Sequence, residues 1–180
     1  MFLRTHEKAG PLTGLHRFRP VCALVTLTLI VAACESRALP NAQPSAEGLA
    51  REVLAALERR DEPRLHALAL DAEEFHEHVW PSLPAAQPER NLPWTYVWSD
   101  LSQKSQAHLK RTLSTYGGTP YRLESIRFTG GATQYAEYRV HRETVLTVRD
   151  SSDARHELRL FGSLLEKDAH WKVFSYVIDD

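Results

Sequence analysis

Residues 121–148 read YRLESIRFTGGATQYAEYRVHRETVLTV. β-Branched and aromatic residues alternate here with polar ones, the two-residue period of half-buried strands. Gly130-Gly131 interrupts the pattern, and because both positions accept positive φ the pair predicts a two-residue hairpin turn. A strand over 121–129 would precede it and a longer one, roughly 133–148, would follow. Downstream, a loop at 150–154, a strand at about 156–165, a polar turn at 166–170 and a strand at 171–177 complete a four-stranded antiparallel meander. In the last strand Trp171, Val173, Ser175 and Val177 fall on one face, and Phe174, Tyr176 and Ile178 on the other. Two mainly apolar faces predict an interior strand, or one covered on its second side, for instance by a partner subunit in a homodimer.

Upstream of residue 121 the period changes to that of helices. Leu49, Val53, Leu54 and Leu57 lie on one face of an amphipathic helix over 46–60, with Ser45 as N-cap. Asp61 caps a short second helix that tolerates Pro63 in its first turn. Asp71 and Glu74 have capping-box spacing ahead of a third, which Pro81 stops. After a proline-rich connection over 81–93, the stripe Trp94, Val97, Trp98, Leu101, Leu109, Leu113 and Tyr116 predicts a long helix ended by Gly117-Gly118. Helices first and an antiparallel meander afterwards make the α+β class.

The beginning of the chain has a different character. Arg4, Lys8, Arg17 and Arg19 precede an apolar run over residues 21–33, the layout of a secretory signal. Thirteen helical residues cover about 20 Å, short of the roughly 30 Å hydrocarbon core, so removal of the leader is favoured over a permanent span. Its loss takes away four basic residues and one acidic residue, leaving 18 basic against 22 acidic, a net charge near −4. A mildly acidic domain without a basic run gives no reason to expect nucleic-acid binding. Cys22 lies within the leader and Cys34 at its end, so the rest of the chain has no cysteine for a disulfide.

Val31-Ala32-Ala33-Cys34 resembles the lipobox of bacterial lipoproteins. The alternative is an ordinary signal peptide cut after Ala33. The resemblance implies a signal peptide over 1–33, a diacylglycerol thioether on Cys34, and membrane attachment through that lipid. Glu35, in place of the aspartate associated with inner-membrane retention, points to the outer membrane, facing the periplasm. Residues 35–44, with two prolines, read as a flexible tether to a domain over 45–180.

The order of elements in 45–180 resembles the NTF2-like superfamily, also described as SnoaL-like or cystatin-like. The opening helix with Asp61 after it, Tyr116-Gly117-Gly118 before the sheet, and the closing Trp171-Lys172-Val173 strand carry the resemblance. It implies helices packed into the concave face of a bent four-stranded sheet, a cone. Many members have Asp-Gly where this chain has Asp168-Ala169, which puts that turn in doubt. The superfamily houses both enzymes and non-enzymes, so the resemblance gives a layout rather than an activity.

Few residues suggest chemistry. His76 and His78 are two apart, and on a helix such residues point about 200° from one another, so they cannot converge on a metal. They read as surface histidines, and neither a metal site nor a cofactor is expected. Ser163 lacks the G-x-S-x-G elbow, and the sequence holds no phosphate loop. Glu137, Arg139, His141 and Glu143 alternate and share one face. Turned into the cone, His141 with Glu143 would suit proton transfer; on the outer face the same charges would be cross-strand pairs in water or in a dimer contact. Trp94, Trp98 and Tyr138 are either core or the lining of a pocket for an apolar small molecule. The expected function is therefore a non-catalytic, membrane-tethered domain that binds an apolar small molecule or an envelope partner. An isomerase- or dehydratase-type enzyme with His141 as general base is the alternative.

Overall fold

Capping chemistry starts each of the first three helices where the sequence places it. A computed structural model describes residues 39–178; the leader, the lipobox with Cys34, and Asp179-Asp180 lie outside the described residues. Ser45 Oγ accepts from Gly48 N at 3.0 Å and opens α1 (Ala46–Glu58), whose Leu49, Val53, Leu54 and Leu57 are all buried. Asp61 Oδ1 accepts from Arg64 N at the start of α2 (Glu62–Leu68). Asp71 and Glu74 form the reciprocal capping box of α3 (Ala72–Glu74), which widens at once into a π-helical turn over Phe75–Val79. The proline-rich connection forms three short 3₁₀ turns and leads into α4 (Trp94–Tyr116). Arg60 Nη2 donates to Gly117 O at 2.7 Å, joining the C-terminal ends of α1 and α4.

The protein is α+β, with four α-helices and two antiparallel sheets among the described residues. The strands are β1 (Arg122–Phe128), β2 (Ala132–Gln134), β3 (Arg139–Arg142), β4 (Thr144–Arg149), β5 (Arg155–Leu158), β6 (Ser163–Lys167) and β7 (His170–Ser175). One sheet has the order β1-β4-β5 and the other β2-β3-β6-β7. The expected 133–148 and 156–165 strands are thus broken, at 143 and at 159–162, and serve both sheets, while the first strand runs on past a break at 129–131 into β2 of the second sheet. The breaks are bonded to one another: Thr129 N donates to Glu143 O, Gly130 N to Arg142 O, and Thr144 N to Gly162 O. They form one fold line across the meander.

Gly130-Gly131 lies on that line and is not the hairpin turn expected of it. Gly131 uses its φ of 73° to redirect the first strand, and the chain reverses at 135–138, where Tyr135 N donates to Tyr138 O at 2.8 Å. Opposite it, Glu143 takes a φ of 52°, and this break in the expected 133–148 strand was not visible in its alternation.

β7 is an outer strand rather than an interior one. Its free edge is bonded by the chain itself, through Gln43 with Trp171 in both directions and Leu70 N to Val173 O at 3.0 Å. Its faces are covered separately, Val173 and Trp171 packing in one apolar cluster and Phe174 against the other, so the strand is covered on its second side as expected, by the chain itself. The edge contacts also show that the expected tether is shorter: Leu39 is buried, Ala42 N donates to Leu39 O, and the packed chain begins at least six residues before Ser45. Two apolar clusters result. Leu49, Leu57, Leu65, Leu146, Leu164 and Val173 belong to the one under α1. Leu39, Phe75, Val79, Tyr138, Val140 and Leu165 form the other, on the opposite face of the second sheet.

The β6–β7 turn consists of Asp168 and Ala169, both at positive φ (51° and 59°), the primed geometry that suits glycine. An alanine there carries a Cβ penalty of roughly 1–2 kcal/mol. Ala169→Gly should therefore raise the melting temperature by an amount worth about 1 kcal/mol. Gly162→Ala should do the reverse, because a Cβ at 162 would lie 1.7 Å from Val177 O. Thermal melts of the two variants check both signs.

Candidate functional site

A 23-residue helix normally buries a full stripe, but α4 buries only Leu109 and Thr112. Trp94, Val97, Trp98, Leu101, Leu113 and Tyr116 are half-buried. The space left beneath the helix is a cleft of about 220 Å³ between α4 and the α2–α3 corner. Trp98, Leu101 and Leu109 of α4 line it together with Leu70 and Phe174, and His66, Asp71, Ser102, Ser105 and Gln106 supply polar groups. Ser105 Oγ is engaged as acceptor for Tyr176 N at 3.0 Å, and Tyr176 OH donates to Leu65 O at 2.8 Å, so this wall is held rigidly. Burial raises the Tyr176 phenol above its usual range, which keeps it a neutral donor.

Of the three aromatic residues expected to line a pocket, Trp98 lines this cleft, and Trp94 and Tyr138 do not. Trp94 stacks on His76 instead, with ring centroids 4.4 Å apart. Tyr138 is 1% exposed, its hydroxyl donates to Val79 O at 3.2 Å, and its ring stacks on Tyr135. Burial raises that phenol too, so Tyr138 is a core residue with a satisfied polar end. His76 and His78 do not converge, and among the described residues no group of three His, Cys, Asp or Glu side chains could hold a metal.

His141 meets a carboxylate, but a different one from that expected. Its Nε2 lies 2.7 Å from Glu166 Oε2, across the β3–β6 pairing. The imidazole sits between the rings of Phe128 and Trp171, at 4.6 and 4.7 Å, and its side chain is 12% exposed. Glu143, on the fold line, turns to Thr129 and accepts from its Oγ1 at 3.0 Å. Glu143 lies in the break between β3 and β4 at positive φ, so the alternation that would set it beside His141 does not extend to it. Glu137 leaves the set as well: Lys167 Nζ donates to it at 2.9 Å and holds its carboxyl below the usual range. Glu166 was legible only by pairing the third strand against the second, which needs the register. Neither the cleft under α4 nor the one at the fold line is lined by His141.

The polar pair that sequence reasoning missed is Glu74 with Lys172, 5% and 2% exposed. Lys172 Nζ donates to Glu74 Oε1 at 2.5 Å and to Oε2 at 2.7 Å, and Oε2 also accepts from Asp71 N at 2.9 Å. One carboxylate therefore caps α3 and holds β7. A signal was present, since Lys172 alternates with Phe174 on a packed face and lysine is almost never buried unpaired. With its lone pairs engaged on both sides, this pair is a strut rather than an acid–base couple. Comparison of the chain with protein-family models, with curated proteins and with solved structures gives no match.

Removing one member of a buried pair strands the other charge, at a cost of about 3–5 kcal/mol. Lys172→Met should lower stability by that order in urea titration. Glu74→Gln/Lys172→Met, which removes both charges, should recover much of the loss. Equal losses in the single and double variants would contradict the strut.

Proposed function

We propose that the mature chain is a lipid-anchored, NTF2-like domain that binds a small apolar molecule with a polar end in the cleft beneath α4, and that it performs no chemistry on it. The observation that carries this reading is the unfinished burial of α4. Half-exposed Trp98 and Leu101 face a cleft that a ligand would complete, and buried apolar area contributes roughly 25 cal/mol per Å². At about 220 Å³ the cleft is smaller than the roughly 300–1,000 Å³ typical of drug-sized ligands, so the ligand is compact, of single-ring size. The NTF2-like part of the reading is supported by helices preceding a meander in which three neighbouring strands bend at one level.

Anchoring rests on the lipobox, with outer-membrane placement inferred from Glu35. Among the described residues no helix is long and apolar enough to cross a membrane. Five peptide units join Cys34 to Leu39, a reach of at most about 18 Å, so a lipid on Cys34 would keep the domain close to the bilayer. Contact with an envelope partner, or a second copy through the sheet, remains compatible with this arrangement. The His141–Glu166 pair at 2.7 Å favours a second reading, general-base catalysis of the isomerase or dehydratase kind. Its enclosure between two rings, outside both clefts, argues for the first.

Benzyl alcohol and phenol, titrated against tryptophan fluorescence, test the binding reading. Ser102→Phe, which puts a ring into the cleft from a helix position, should abolish binding without loss of stability. Trp98→Ala should weaken binding and also destabilise, by up to about 3 kcal/mol. His141→Ala should leave affinity unchanged. A substrate whose conversion collapses in His141→Ala would replace this reading with the enzymatic one. Separately, Cys34→Ala should lose palmitate labelling and leave the membrane fraction; retention of both would sink the anchor.

A further inference from the structure

The fold line encloses a second and larger cleft. Its volume is about 330 Å³, inside the range typical of ligand sites, and its walls are the three strand breaks. Phe161, Val177 and Ile178 give it an apolar side, while Arg142 and Arg159 bring two guanidiniums. Elsewhere on the strands, arginines are matched to carboxylates: Arg122 with Asp153, Arg127 with Glu157, Arg139 with Glu166, and Arg149 and Arg155 with Glu124. Arg142 and Arg159 have no carboxylate partner among the described residues. Glu143, the acid in the cleft wall, is hydrogen-bonded to Thr129 and forms no ion pair with either arginine among the described residues. Glu143 is also a non-glycine residue held at positive φ, and such strain concentrates at functional positions.

We propose that this cleft binds a small amphipathic oxyanion, whose carboxylate or phosphate group pairs with Arg142 and Arg159 while its apolar body lies against Phe161, Val177 and Ile178. Guanidinium is suited to both headgroups because its planar fork donates two parallel hydrogen bonds. An uncharged molecule of the same shape would leave the two cations unmatched and bind less well. The site is separate from the cleft under α4 and does not depend on its function.

Calorimetry and backbone amide NMR of the purified protein with octanoate, octyl phosphate and octanol test the proposal. Octanoate or octyl phosphate should bind, the tighter of the two identifying the headgroup, with octanol at least about tenfold weaker. Shifts should centre on the amides of Gly130, Gly162 and Ser163. Arg142→Gln and Arg159→Gln, both at exposed positions, should each weaken binding about tenfold without changing the melting temperature. Equal affinity for octanol, unchanged affinity in both arginine variants, or shifts confined to Leu101 and Ser105 would overturn the proposal. Asp179 and Asp180 follow Ile178 in the sequence and carry the ligand's charge. Binding that occurs only after both are changed to Asn would assign the arginines to the chain's own aspartates, and would equally overturn it.

Discussion

Three neighbouring strands change direction at one level, and the rest of the domain is arranged around that line. A sheet can bend sharply only where its ladder is interrupted, and here the interruptions lie side by side, so each supplies hydrogen bonds to the next. Gly131 and Glu143 provide positive φ on two strands. On the third, Gly162 provides room for the Val177 carbonyl, which no side chain would leave. The bend gives separate tasks to the two halves of each strand. β4 carries Leu146 and Val148 into the cluster under α1, while β3 carries Val140 into the cluster of Phe75 and Tyr138.

The second sheet carries an apolar cluster on each face of β6 and β7, and its outer strand needs something to hold it at the edge. Glu74 and Lys172 do this with a bidentate contact between residues 98 apart in sequence. Taking both charges out of water is costly, and the cost is offset because the carboxylate is already engaged as the helix cap. Gln43 and Leu70 complete the edge by backbone bonds, blunting a strand that would otherwise be open to pairing with another chain. Against this anchored sheet α4 is lightly packed. A helix with half-exposed rings over this sheet leaves the cleft beneath α4 open, and there we place the proposed ligand.

His141 combines a catalytic-looking contact with a packed environment. A histidine within hydrogen-bond distance of a carboxylate is the elementary unit of general-base catalysis. Here the imidazole is stacked between Phe128 and Trp171, two rings nearly parallel to each other, and the carboxylate also lies 3.6 Å from Arg139. Such an arrangement orients and packs the ring. It ties the first, second and fourth strands of the meander together through Phe128, His141 and Trp171.

The sequence by itself determined the elements that depend on local chemistry. Caps at Ser45, Asp61 and Asp71, the buried stripe of α1, the long α4 and the alternation of the strands all follow from side chains near one another in the chain. The α+β order and the separation of His76 from His78 follow for the same reason. What only the tertiary structure decided are pairings between distant residues. Glycines mark where the backbone can turn, but whether Gly130-Gly131 reverses a strand or bends it depends on what lies opposite, and that is Glu143. The partner of His141, the burial of Lys172 and the two unmatched arginines depend on register across strands, which alternation leaves open because every shift of two residues preserves it. Of the expected pocket residues, Trp98 lines the cleft beneath α4 and Trp94 and Tyr138 do not. Helical spacing tells which residues share a face, but not which turn of that face lies over a neighbour and which lies over a gap.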